Sequence, residues 1–371
     1  MESFYLKVKP LTPLWTGDEN RSCDRIRETG IIGSLRWWYE ALIRGLGGYA
    51  CDPTNSKCNE KNHCDACELF GCTGWARKFR LEVVSSNLKP IPEIKIGTRE
   101  KRFIGEGERY LMRIVKGLTG EITLKFIPIR DITENEWALL NKTLQIIADY
   151  GALGARTSQG NGVIKIIENN LPYRNENIKK DELKGNGNKV NSPNLENFFF
   201  YKFRIKFKGD ISKLINNKIF WTHAPDHRSS QDNWENWEKL WSDYHFLPIA
   251  FHVRDAIRHL EDDRDQRHAI FGELGKGSKV FVSHGYKINN KTVEVRIWKT
   301  VEVRIWGYDV KEDVKNKIKK ELENGDILKE KFFSGENKES LESCTLIEEK
   351  TGKEILEKLL GKKSWRNKND T

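Results

Sequence analysis

No stretch of this sequence approaches the roughly 18 consecutive apolar residues that a membrane-spanning helix needs, so no membrane partner is expected. The chain opens on the strand-like Phe4-Tyr5-Leu6-Lys7-Val8 and not on a basic-then-apolar leader, which predicts a soluble, cytoplasmic protein. Its main glycine-rich segment, residues 151–162, is followed by no Gly-Lys-Ser/Thr, which excludes the phosphate loop of nucleotide hydrolases. A helix precedes that segment and a strand follows it, the reverse of the dinucleotide-binding order. Histidine is scarce at eight residues, and no ordered His–Lys–Tyr set marks a metal-independent nuclease. The densest group is His223, Asp226 and His227, with His252 and His259 seven apart on a predicted helix. Surface and structural roles account for such histidines more often than catalysis does, so no catalytic residue is assigned.

Basic charge is present in excess. Lys and Arg number 64 against 54 Asp and Glu, a net charge of +10. Such an excess suits a polyanion, because neutralised phosphates release counterions. It suits solubility equally well.

Seven cysteines are distributed unevenly, with five falling between Cys51 and Cys72. Clustering of this kind in an intracellular chain indicates metal ligation before disulfides. Cys64-x2-Cys67 supplies a knuckle, and Cys51 and Cys58 can complete a tetrahedron from a polar loop with almost nothing apolar to order it. A structural zinc on Cys51, Cys58, Cys64 and Cys67 is expected, with ordinary reduced thiols as the alternative. Cys72 lies in an apolar setting, and His63 adjoins Cys64 too closely for both to bind one ion.

Periodicity outlines an α+β chain. Residues 3–9, 78–84, 121–129 and 163–167 read as strands. Residues 34–46 read as a helix with Leu35, Trp38 and Leu42 on one stripe, and Arg36, Glu40 and Arg44 spaced for ion pairs on another. Thr133 and Glu136 make a capping box for a second helix with Trp137, Leu140, Leu144 and Ile147 inward, ended by Gly151. The order βαββαβ is ferredoxin-like. The expected organisation is residues 1–170 as one ferredoxin-like domain with a cysteine-rich insertion at 51–72, and 171–197 as a linker. A second unit is expected over 198–371, ferredoxin-like with a helical C-terminal part. A repeat, TVEVRIW at residues 292–298 and again at 300–306, has a period of eight and keeps each side chain on the same strand face; it carries no functional reading.

Three segments could meet a phosphate backbone. The first holds Arg21, Arg25 and Arg27 before Thr29-Gly30-Ile31-Ile32-Gly33-Ser34, where a helix start offers free N–H groups and Arg36 adds charge. The second is residues 151–162, whose four glycines allow close approach while Arg156, Thr157, Ser158, Gln159 and Asn161 supply donors. The third, residues 99–116, mixes Arg99, Lys101, Arg102, Arg109, Arg113 and Lys116 with Phe103 and Tyr110.

Three blocks in order carry a resemblance: Leu11-Thr-Pro-Leu-Trp-Thr-Gly17; Arg27-Glu-Thr-Gly30-Ile-Ile-Gly33-Ser-Leu-Arg36-Trp-Trp-Tyr-Glu-Ala-Leu-Ile-Arg44; and Cys64-x2-Cys67-Glu-Leu-Phe-Gly71-x-Thr-Gly74-Trp-Ala-Arg77-Lys-Phe79. They resemble the first-subunit family of type III-B CRISPR (Cmr) RNA-silencing complexes, within the RAMP superfamily. The glycine-rich loop before the last strand is similar to that superfamily's as well. The resemblance implies tandem ferredoxin-like units, no enzymatic role, contact with guide RNA and target RNA near the guide's 3′ end, and packing on other Cmr subunits. It implies RNA contact at Arg25, Arg27, Arg36, Arg44 and Arg77, with Lys78 beside them, and at Arg156, Ser158, Gln159 and Asn161 in the loop. A guide-processing endoribonuclease of the same superfamily and a purely protein-binding scaffold are the alternatives.

Overall fold

A computed structural model describes residues 3–20, 22–85, 87–97, 102–104, 107–109, 112–185, 192–220, 227–273, 276–287, 298–333 and 335–361. Arg21, Arg99, Lys101, Tyr110, His223, Asp226 and residues 292–297 of the repeat lie outside them, as do the side chains of Arg102, Phe103, Arg109 and His227.

The N-terminal unit is a four-stranded antiparallel sheet under helices. Its order is β10 (Ile164–Asn169), β1 (Phe4–Pro10), β9 (Ile122–Pro128), β2 (Phe79–Ser85). Counted along the chain these are strands 4-1-3-2, the ferredoxin-like order expected from the pattern. Leu6, Val8, Leu124 and Phe126 alternate onto one face, held in register as Leu6↔Leu124 and Val8↔Ile122. Against that face pack α1 (Glu28–Gly45), through Leu35, Trp38 and Leu42, and α3 (Glu134–Asp149), through Trp137, Leu140, Leu144 and Ile147. Full burial of each large apolar side chain contributes about 1.5–3 kcal/mol. Thr133 and Glu136 form the capping box at the start of α3. Between β2 and β9 the chain runs out through short ladders: β3 (Lys89–Pro90) on β8 (Leu118–Thr119), β4 (Ile94–Gly97) on β7 (Met112–Val115), and β5 (Arg102–Ile104) on β6 (Gly107–Arg109). The helix α2 (Asp65–Phe70) follows the cysteine loop.

One boundary differs from expectation. The first helix begins at Glu28, about two turns before Ser34, with extended Arg27 as its flank. Thr29-Gly30 and Gly33 resemble a turn in sequence, yet Gly30 is there for packing. A Cβ at Gly30 would lie 2.6 Å from Thr16 Cβ, so the glycine lets the preceding loop cross the helix closely.

The second sheet is built on β11 (Phe198–Phe207), β15 (Thr300–Tyr308) and β16 (Leu341–Thr351). Strand β11 lies between the other two, while β13 (Val280–Val282) and β14 (Gly285–Tyr286) pair with the far side of β15, and β12 (Phe246–Leu247) with β14. With β11, β13, β15 and β16 in the places of β1, β2, β9 and β10, the strand order repeats. Helices α4 (Ile211–Asn216), α5 (His227–Ser242), α6 (Ala250–Arg258) and α7 (Arg264–Phe271) come before β13. Helices α8 (Glu312–Asn324) and α9 (Asp326–Phe332) precede β16, and α10 (Gly352–Leu359) follows it. Aromatic packing joins the sheets. The Trp37 ring of α1 meets Phe198, Phe281 and Tyr308 edge-on at centroid distances of 5.9, 6.4 and 5.9 Å. Arg304 Nη1 donates to Gly151 O at 3.2 Å.

Candidate nucleic-acid interface and metal centre

The glycine-rich loop leaves α3 and is pinned on three sides. Trp38 Nε1 donates to Ala152 O at 3.0 Å, and the Gly154 N–H donates to Ser34 Oγ at 3.0 Å, both on α1. The Ala155 N–H donates to Trp15 O at 2.7 Å and the Gly162 N–H to Pro13 O at 2.9 Å, which binds the loop to residues 11–17. On the third side the His284 N–H donates to Gly160 O at 3.2 Å. Gly160 has φ +105°, and a Cβ there would stand 2.5 Å from Ala250 Cβ, so this position requires glycine both for its backbone and for contact with the second unit.

The Arg156 side chain and the Arg27 backbone each contact the Trp15–Thr16 segment. The Arg156 guanidinium lies 4.6 Å over the Trp15 ring, in cation–π range, and Nη1 reaches Ile114 O at 3.5 Å. Burial lowers the pKa of Arg156. The Arg27 N–H donates to Thr16 Oγ1 at 2.9 Å, and its guanidinium lies 3.8 Å from Asp18. Arg25 is exposed beside it. Ser158 and Gln159 sit half-buried on the short 3-10 turn Thr157–Gln159 at the same corner. Trp15, the shelf under Arg156, went unrecognised as a site residue, although it stands in the first sequence block.

Four of the expected RNA contacts are engaged within the fold. Asn161 is 2% exposed and donates to Lys116 O at 2.9 Å, which fastens the loop to its neighbouring strand. Arg36 donates to Glu40 at 2.7 Å, to Gly71 O at 2.9 Å and to Cys67 Sγ at 3.2 Å. Arg44 donates to the carbonyls of Ala50 (3.0 Å), Cys51 (2.6 Å) and Pro193 (2.8 Å), and pairs with the other oxygen of Glu40 at 3.3 Å. Lys78 is 8% exposed and bridges Glu68 and Glu136, each at 2.9 Å. The helix spacing of Arg36, Glu40 and Arg44 therefore expresses ion pairing and a frame for the cysteine loop. Arg77 is half-buried on that side and makes no hydrogen bond or ion pair among the described residues.

That frame surrounds the four cysteines chosen by spacing. The sulfurs of Cys51, Cys58, Cys64 and Cys67 are buried and all within 4.8 Å of one another. Tetrahedral thiolates bonded at about 2.3 Å would stand about 3.8 Å apart, and Cys51 Sγ and Cys67 Sγ are 3.6 Å apart. The donor set fits a tetrahedral metal. Hydrogen bonds from the Cys51 and Cys67 side chains, and then from their backbone N–H groups, hold the Cys64 thiol well below the usual cysteine range. Cys72 stays outside, paired by backbone with Trp75, and His63 is occupied by Glu68 and stacked on Trp75 at 4.5 Å.

The residues after the first unit rest on the same loop. The Lys184 N–H donates to Asp65 at 3.0 Å and its ammonium to His63 O at 2.9 Å. Pro193 accepts from Arg44, as above.

Residues 7–165, nearly the whole of the N-terminal unit, match the family model described as RAMP superfamily. The N-terminal unit is thus similar to the RAMP superfamily. No curated protein matches the chain. Among solved structures the chain is similar to the apo crystal structure of Cmr1 from Pyrococcus furiosus. The identity is 10% over 97% of this chain and 96% of that one, with a TM-score of 0.41. It is also similar to a chain in the cryo-EM structure of the type III-B Cmr-beta complex bound to cognate target RNA and AMPPnP in the presence of ssDNA. There the identity is 13% over 85% of this chain and 97% of that one, with a TM-score of 0.44.

The N-terminal unit thus presents two separate groups. One is the glycine-loop corner with Arg25, Arg27, Arg156, Ser158 and Gln159. The other is the cysteine centre with its arginine frame. Among the described histidines of the second unit, His252 and His284 are buried in packing. His284 accepts from the Ala250 N–H through Nδ1 at 3.2 Å, and burial followed by the charge of His252 holds it at about 3. No helix among the described residues is long and apolar enough to cross a membrane.

Proposed function

We propose that this chain is the non-catalytic RNA-binding subunit of a type III-B CRISPR (Cmr) effector, cradling guide RNA and target RNA near the guide's 3′ end and packing on other Cmr subunits. Its organisation in this reading is a RAMP domain over residues 1–170, a connector over 171–197, and a second ferredoxin-like unit over 198–371. The four cysteines hold a structural zinc. The three sequence blocks support the assignment. The Arg156 guanidinium on Trp15 and the Arg27 backbone on Thr16, beside the glycine-rich loop, carry it. Guide and target pair with each other, so the protein needs only to hold backbone and 2′-hydroxyls. Arg25, Arg27 and Arg156 supply charge, and Ser158 and Gln159 supply polar groups for phosphate and sugar.

The test is Arg156→Glu, with binding of a guide–target RNA measured across salt. Losing one charge-assisted contact weakens binding about tenfold. The loss is the same for unrelated sequences, and the log–log salt slope flattens by about 0.7–0.9. Unchanged affinity, or loss confined to one sequence, would refute the reading. Incubating the protein with CRISPR-repeat RNA without divalent metal tests the absence of cleavage directly.

A further inference from the structure

The glycine-rich loop belongs to the first unit, yet the second unit holds it near both ends. At its start Arg304 Nη1 donates to Gly151 O at 3.2 Å, and near its finish the His284 N–H donates to Gly160 O at 3.2 Å. Between these points the turn Thr157–Gln159 packs on β13. Arg156, Ser158 and Gln159 therefore sit on an arc whose ends are fixed from across the seam.

The residues that hold the arc are themselves locked together. Arg304, on β15, is 6% exposed. Its backbone N–H donates to Ser283 Oγ at 2.8 Å, its carbonyl accepts from the Ser283 N–H at 2.9 Å, and Nε donates to Tyr286 Oη at 3.1 Å. Ser283 Oγ in turn donates to His284 O at 2.9 Å. The side chain that reaches Gly151 and the backbone N–H that reaches Gly160 thus share one buried network through Ser283. The Gly160 end has no slack, since a Cβ there would stand 2.8 Å from His284 Nε2. Donation from a buried guanidinium to a carbonyl is charge-assisted, and its removal strands the carbonyl oxygen without a donor from that side.

We propose that Arg304 is a positioning residue for RNA. Through Gly151, and together with the His284 N–H on Gly160, it holds the glycine-rich loop in the form that presents Arg156, Ser158 and Gln159 to a sugar–phosphate backbone. The inference rests on the RNA-binding reading and gives the second unit a part in it, although the buried Arg304 touches no RNA itself. Ordering a loop backbone costs conformational entropy. A loop ordered in advance binds more tightly, because that cost does not fall on the binding step.

The experiment is a double-mutant cycle in the full chain: wild type, Arg304→Met, Arg156→Glu and the two combined. Fluorescence anisotropy with a guide–target RNA is read across salt. Arg304→Met is expected to weaken binding about threefold to tenfold, the range of one hydrogen bond. Its log–log salt slope stays at the wild-type value, because no phosphate contact is lost, whereas Arg156→Glu flattens the slope. On the Arg156→Glu background the same change costs less than about twofold, since both residues act through one loop. A merely structural loss would instead lower affinity by the same factor on either background, and that result would overturn the positioning role. A flattened slope for Arg304→Met would overturn it as well, by making Arg304 a direct contact. Wild-type affinity of Arg304→Met beside an impaired Arg156→Glu removes the positioning role and leaves the RNA reading standing. Wild-type affinity of both removes the two together. If Arg304→Met does not fold, Tyr286→Phe takes its place by deleting the oxygen that orients Nε. A loss of about twofold to threefold at unchanged slope then supports the proposal, and no loss overturns it.

Discussion

Replacing Lys78 by Met removes the cation that holds Glu68 and Glu136 together, while keeping most of the side chain's bulk. Two carboxylates then face each other across a buried site, and breaking a buried ion pair from one side costs about 3–5 kcal/mol. For a unit of this size that corresponds to a fall in Tm of roughly 6–20 °C. The penalty depends on pH, and its sign follows from Glu68. Burial alone would raise the carboxyl, but Lys78 and then His63 outweigh it and hold it at about 2, below its ordinary 4.5. A depressed folded value means that the pairing is fully stabilising above about pH 5 and that this contribution drains away as pH falls from 4.5 toward 2. The gap between wild type and Lys78→Met is therefore largest at pH 7 and narrows by pH 3. Calorimetry of both proteins at the two pH values measures it, and any loss of metal at low pH is common to both. RNA affinity well below the melting temperature stays unchanged, since Lys78 is a core residue. A drop in Tm under about 2 °C, or an equal gap at both pH values, would refute the ion-triad argument.

Elemental analysis should find one zinc per chain, and chelation should lower Tm and expose residues 179–185 to protease; zero zinc with an unaltered melting curve would dismiss the metal centre. Gly160→Ala places a methyl against Ala250 at a positive φ, and a loss of about 1–3 kcal/mol is expected in denaturant unfolding. Thr133→Ala deletes one half of the α3 capping box and should cost about 1 kcal/mol by the same measurement.

The sheet order was legible because alternation and a capping box are local signals. Leu6 and Val8, or Thr133 and Glu136, declare their structure within a few residues. The cysteine quartet was legible for the same reason, since metal geometry restricts the spacing of its ligands. The roles of the arginines were not. Arg36 and Arg44 sit on a helix with a glutamate between them, and sequence alone does not say whether their remaining donors face solvent or backbone carbonyls. The answer depends on Gly71 and Pro193, 35 and 149 residues away. Gly30 misled for a related reason: a glycine that accommodates a crossing chain looks the same in sequence as one that turns.

Arg44 touches the cysteine loop through Ala50 and Cys51, the segment leading into the second half through Pro193, and its own helix through Glu40. Disorder in any one of these partners strips ordering contacts from the other two. The first half cannot melt around its thiols while the second half stays docked at Pro193 undisturbed. Unfolding of the two halves should therefore register as linked events, and loss of metal at one end should be felt as looseness at the seam between them.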